Sequence, residues 1–277
     1  MKWLRDHALN IYAGLAVAYM LIPIGVIALF SFNDPKGRYN FTWEGFTLDH
    51  WKDPFAIEEL TDALITSIEL AIVATLIATA LGTLIAIALV RYEFFGRKAS
   101  NFLIVIPTAT PEVVIGAALL SMFLLPPFVD IISLGFPSLV VAHVMFSISF
   151  VVIVVRSRLI GFDRSLEEAS RDLGAGALTT FRTVTLPLLM PGIVAAGLLA
   201  FALSIDDFVI SNFNSGTTVT FPLYIYGASQ RGIPVEVNVM ATLLLLVTLV
   251  AMAFTIWQQY RAEKLAAVAA DPAEELV

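Results

Sequence analysis

Six stretches of the chain, residues 11–32, 64–90, 102–125, 137–155, 191–213 and 237–260, are almost continuously apolar and together hold no Lys or Arg. A helix needs about 20 such residues to cross about 30 Å of hydrocarbon, with every backbone polar group satisfied internally. The stretches therefore predict an all-α, polytopic membrane protein with six transmembrane helices. Only 14% of the 277 residues are charged, against about 25% in globular proteins, which excludes a soluble domain, a disordered chain and a nucleic-acid binder. The first stretch follows Lys2 and Arg5 as a signal peptide would. It is longer than an h-region of about 7–15 residues and ends in Ser31-Phe32-Asn33 without a small-x-small cleavage pattern, so an uncleaved span is expected. Cysteine is absent, which removes disulfides, thiolate metal sites and thiol nucleophiles from consideration. His7, His50 and His143 share no helical spacing, which argues against zinc. With no catalytic triad and no phosphate-binding glycine loop, neither enzymatic chemistry nor a resident cofactor or metal is expected.

Cytoplasmic segments of membrane proteins are enriched in Lys and Arg. One set of alternate loops, with both termini, carries twelve of the sixteen basic residues; the other carries Lys36, Arg38, Lys52 and Arg231. Both termini are thus expected in the cytoplasm. The chain then divides into 1–63, a first span with an outer loop; 64–260, the transmembrane core; and 261–277, an Ala-rich acidic tail read as a frayed helix. In the outer loop, Trp43, Phe46 and Trp51 stand among seven acids, either an interfacial aromatic belt or a docking surface for an external partner.

The longest cytoplasmic segment, 156–190, is patterned as two short helices. Ser165-Leu166-Glu167-Glu168 fits a capping box, Gly174 fits a left-handed C-cap, and a second piece from Ala177 to Thr185 is expected to stop at Pro187. Leu166, Ala169 and Leu173 share a face, as do Leu178, Phe181 and Thr185. Such stripes must bury against the membrane surface, the bundle or another protein.

The residues Glu168-Ala169-Ser170, then Gly174, Val184 and Leu186-Pro187, resemble the EAA loop of ABC importer permeases, E-A-A-x3-G-x9-I-x-L-P. Ser170 and Val184 depart mildly from it. The resemblance, to the MetI-like permeases of binding-protein-dependent importers, implies a type I importer fold in which 163–187 is a coupling loop against a cytoplasmic ATPase. Glu168, Ala169, Ser170, Asp172, Leu173, Gly174, Leu186 and Pro187 would then be the coupling residues. Ser204-Ile205-Asp206-Asp207-Phe208-Val209-Ile210-Ser211, Ser31-Phe32-Asn33, Trp43-Glu44-Gly45-Phe46-Thr47 and Pro111-Glu112 are similar to the spermidine/putrescine branch, the PotC type. Permeases for iron or other small solutes share parts of these strings.

The carboxylates within the spans agree with a cationic substrate. Glu69, Glu112, Asp206 and Asp207 lie in segments that hold no basic residue, and an ionised acid in hydrocarbon costs about 2.5–3.5 kcal/mol on insertion scales. On a continuous helix Ser204, Asp207, Ser211 and Asn214 form one polar stripe, with Asp206 about 100° away. Asp207 is therefore expected to face a substrate pathway, about 24 Å from the inner end of its span, with Ser204, Ser211 and Asp206 beside it. The alternative is that these acids only tie neighbouring helices together. Glu112 follows Thr110-Pro111 and reads as the first turn of a helix restarting after a break, where it lines a cavity or merely caps the new helix. Glu69 lies near a span end and can snorkel. Phe208, Phe213, Phe221, Tyr224 and Tyr226 flank the stripe and are as readily lipid-facing as cation-binding.

The resemblance further implies an inner-membrane subunit that works with an ABC ATPase dimer, which would hold the ATP and Mg, a second, homologous permease, an external substrate-binding protein and lipid, but no nucleic acid. Two rival classes are a secondary transporter, which would show inverted repeats, and a channel, which would need no ATP.

Overall fold

The computed structural model describes residues 2–270. In chain order the helices are α1 (Lys2–Phe30), α2 (Asp49–Lys52), α3 (Glu58–Arg91), α4 (Arg97–Ala109), α5 (Glu112–Phe123), α6 (Phe128–Ile131), α7 (Phe136–Ile160), α8 (Ser165–Asp172), α9 (Ala177–Thr180), a π turn (Phe181–Thr185), α10 (Leu186–Ile205), α11 (Val209–Asn214), α12 (Phe221–Arg231) and α13 (Val235–Ala270). Among the described residues the only extended pairing is one isolated bridge, Asn33 to Phe46.

Among the described residues, four helices are long and apolar enough to cross a membrane: Leu9–Phe30, Glu58–Arg91, Phe136–Ile160 and Ala177–Ile205. The pair α4 and α5, bent by 113°, has the length and composition of a broken span or a re-entrant loop. The break falls at Thr110-Pro111, where the missing amide and the restriction on the preceding residue end one helix and start the next. The sixth expected span lies in α13, whose apolar described stretch is Val235–Val250. Residues 271–277 of the expected tail lie outside the described residues.

The expected fifth span, 191–213, is not one helix. α10 ends at Ile205 and α11 starts at Val209. The Asp207 carboxylate takes the amides of Ile210 and Ser211 at 3.2 and 2.8 Å, and a side chain that offers such bonds competes with helix continuation and caps a new start. At the other end the expected stop at Pro187 is absent. α9 runs through the π turn into α10, and the Leu186 amide bonds to the Phe181 carbonyl, five residues back. The wider turn accommodates the proline, so that 177–205 forms one 29-residue helix.

The chain forms two compact units, one of residues 59–227 and one of 1–58 with 228–277. In the first, α3, α7 and α10 meet through Ala78, Ala86, Val151, Val155, Leu189, Ala196 and Ala200, all fully buried. Lipid supplies no hydrophobic drive for helices to associate, so close contact relies on small residues. A Cβ on Gly82 would lie 2.6 Å from Val151 Cγ1, and one on Gly197 would lie 3.3 Å from Thr79 Oγ1. A second cluster joins Leu119 and Phe123 of α5 to Ala142 and Phe146 of α7 and Ile210 of α11.

In the other unit the loop after α1 folds on itself. Asn33, fully buried, donates to Asn40 Oδ1 (2.6 Å) and the Thr42 carbonyl (2.7 Å) and accepts from the Glu44 amide (2.8 Å). Phe32 is stacked between Phe46 and Trp51, at 5.7 and 5.1 Å. The two strings Ser31-Phe32-Asn33 and Trp43-Glu44-Gly45-Phe46-Thr47 are therefore each other's partners.

Candidate coupling segment and intramembrane polar cluster

The polar segment between α7 and α10 is built from local signals. The expected capping box does not form: α8 begins after Arg164, and the Ser165 amide bonds instead to Asp163 Oδ1 at 2.9 Å. The Ser165 amide and hydroxyl hold the Asp163 carboxyl below its ordinary pKa. Glu168 has no capping role and is exposed. The C-terminus of α8 is as expected. Gly174 takes φ +85°, its amide bonds to the Arg171 carbonyl (2.8 Å), and the Ala175 amide bonds to that of Ser170 (3.1 Å). This is a Schellman closure, in which the left-handed residue is nearly always glycine.

Leu166, Leu173 and Leu178 are 47%, 90% and 69% exposed, so the chain leaves the first predicted stripe uncovered, whereas in the second Phe181 is half-buried and Thr185 buried. Ala169, Asp172 and Gly174 are exposed too, and Ser170 is half-buried with its hydroxyl 3.2 Å from that of Thr180. Leu186 and Pro187 sit where the π turn meets α10, half-buried and exposed.

Within the apolar helices, polar groups gather around His143 of α7. Its Nδ1 lies 2.7 Å from Ser204 Oγ, and its Nε2 lies 3.0 Å from Ser211 Oγ and 3.5 Å from Asp207 Oδ2. Ser204 belongs to α10 and Ser211 to α11, so the imidazole spans the break between them. Hydroxyls both donate and accept, so either tautomer of the ring is satisfied. Asn214 continues the row, donating to the carbonyls of Ile210 (2.9 Å) and Gly116 (3.3 Å). Ser204, Asp207, Ser211 and Asn214 are at most 8% exposed. The expected stripe is a buried face: Asp207 points into the unit, while Asp206 is exposed, as are Glu112 and Glu69. α11 packs on α5, which brings the second break close to the first. Phe208 and Tyr226 pack ring to ring at 4.7 Å.

Residues 78–266 match the family model described as the binding-protein-dependent transport system inner membrane component. The chain belongs to this family. This permease is 39% identical over 241 residues to the spermidine/putrescine transport system permease protein PotC of Haemophilus influenzae, covering 87% of this chain and 91% of that protein. It is 34% identical to the putrescine transport system permease protein PotI of Escherichia coli, with 83% of each covered. A subunit of a bacterial ABC transporter involved in the import of alginate has the same fold, with a TM-score of 0.65 at 19% identity, covering 94% of this chain and 98% of that one. The permease is thus a multi-pass inner-membrane transport component rather than an enzyme, with the type I ABC importer fold.

Two of its residues carry weight that the sequence does not announce. By sequence His143 reads only as a metal ligand without partners, and its one signal is a lone histidine amid an apolar run opposite a Ser/Asp/Ser row. The family pattern points to Glu168 rather than Glu167. Yet Glu167 is the buried one, with its carboxylate held by Arg91. Only tertiary placement distinguishes the two neighbours.

Proposed function

We propose that this permease is the membrane subunit of an ATP-driven importer that carries polyamines, spermidine or putrescine, across the inner membrane by alternating access. The extended likeness to two polyamine permeases carries this reading. The presence of acids, and no basic residues, in the apolar stretches supports it. Both termini lie in the cytoplasm on this reading. An external binding protein delivers the cation, a second and related permease completes the pore, and an ATPase dimer holds ATP and Mg, none of which this chain binds. The exposed face of α8 and its C-cap, Leu166 with Glu168, Ala169, Ser170, Asp172, Leu173 and Gly174, docks in the ATPase. Leu186 and Pro187 join that contact to the fifth span.

Along the path, Asp206 and Glu112, exposed beside their helix breaks, meet the ammonium groups. Asp207, Ser204 and Ser211 hold the second break in shape from behind. An exposed carboxylate at a break is hydrated while empty and can exchange water for a cation.

The test is uptake of labelled spermidine into vesicles that contain the purified complex. Uptake should require ATP and be competed by putrescine. Uptake persisting without ATP would refute the importer mechanism. ATP-dependent uptake of another small cation but not spermidine would refute only the polyamine assignment.

A further inference from the structure

α8 has eight residues, and Glu167 is its only buried one. Its carboxylate accepts a two-pronged contact from Arg91, Nη1 to Oε2 and Nη2 to Oε1, both at 2.8 Å. The Thr185 hydroxyl donates to Oε1 at 2.5 Å. The Arg91 and Glu167 side chains are 15% and 12% exposed, and the guanidinium lies 5.3 Å above the Phe162 ring. Arg91 is the last residue of α3 and Thr185 the last of the π turn that feeds α10. One carboxylate therefore joins α8 to the ends of two spans. Beside it is a cavity of about 350 Å³ lined by Arg164, Arg171, Ala177 and Phe181 among others, so α8 is not seated on a packed apolar floor.

We propose that Arg91, Glu167 and Thr185 form a positioning clasp that makes α8, the inner end of α3 and the start of α10 move as one body. An apolar contact lets helices slide and rotate, whereas a fork-to-carboxylate pair fixes angle as well as distance. Ser170 also meets Thr180, its hydroxyl 3.2 Å away, which ties α8 to the 177–205 helix but not to α3. A push on the exposed face of α8 reaches α10 along the continuous 177–205 helix, and the clasp adds a direct polar link from α8 to the inner end of α3. The proposal rests on α8 being the ATPase contact, and it predicts that loss of the clasp separates ATP consumption from transport.

The experiment uses the complete complex in vesicles, with ATP hydrolysis and spermidine uptake measured together. Glu167→Ala should leave hydrolysis within about threefold of wild type but lower uptake per ATP roughly tenfold, an ordinary size for a lost coupling. Arg91→Lys keeps the charge and loses the fork, and should give an intermediate loss. It also serves as the variant if Glu167→Ala fails to assemble. A second readout does not depend on the substrate. Because the chain lacks cysteine, thiol spin labels can be placed at Ser165→Cys, the exposed first residue of α8 outside the docking stripe, and on α3 at the exposed Leu84→Cys. Their separation should stay constant through the ATP cycle in wild type and vary when the clasp is cut. Unchanged uptake per ATP, or the same distance distribution in clasp variants and wild type, would overturn the clasp. Wild-type complex that hydrolyses ATP without taking up spermidine would count against the polyamine reading alone, and the label distances would still decide the clasp.

Discussion

Asp206 and Asp207 are chemically identical neighbours with opposite surroundings, and the contrast yields separable outcomes. Asp207 accepts two backbone amides and lies 3.5 Å from an imidazole nitrogen. Deleting it strands these donors, at about 1–3 kcal/mol for each buried group left unpaired. Asp207→Ala should therefore lower the thermal midpoint of the detergent-solubilised complex and its yield. Asp206→Ala should leave the midpoint within a degree or two and, on the polyamine reading, raise the spermidine concentration needed for half-maximal uptake. Equal midpoints for the two variants would contradict the placement. His143→Ala should resemble Asp207→Ala, because it removes the bridge between Ser204 and Ser211. The polar row at 204, 207, 211 and 214 was legible in the sequence because its spacing survives on both sides of the break. That this row packs inward rather than facing open space was not, because its partner His143 arrives from α7, 61 and 68 residues away from Ser204 and Ser211.

The helices show how tightly glycine positions bind the architecture. At Gly174 the backbone is left-handed but the space around it is open. Gly174→Ala should cost about 1 kcal/mol in backbone strain alone, read as a small fall in midpoint with assembly intact. Gly82→Ala meets a different obstacle, because its Cβ would stand 2.6 Å from Val151 Cγ1 and 3.3 Å from the Ile148 carbonyl. Overpacking of this kind costs about 1–3 kcal/mol, and the midpoint should fall further than for Gly174→Ala. A companion Val151→Ala should rescue it only in part, since Val151 Cβ itself lies 2.9 Å away. Gly174 was readable from local spacing, whereas the demand on Gly82 comes from a helix some seventy residues further along the chain.

At the level of the assembly, uncovered Leu166 of α8 and Leu173 at its end belong, on the importer reading, against a protein partner. A cysteine introduced at Leu173, in a chain with no native thiol, should cross-link to the ATPase subunit in the purified complex. Cross-linking only to lipid or within the chain would remove the docking interface. From the sequence alone follow the apolar crossings, the Schellman glycine, the break at Thr110-Pro111 and the resemblance to importer permeases. Each depends on the composition of a short window: hydropathy, a left-handed turn, a missing amide, a motif. The tertiary structure decided that Glu167 rather than Glu168 is buried, that Pro187 lies inside a continuous helix with a π turn, and that His143 closes the second break. Those outcomes depend on which distant group arrives at a given side chain, Arg91 at Glu167 or Ser204 and Ser211 at His143, and no local window contains both partners.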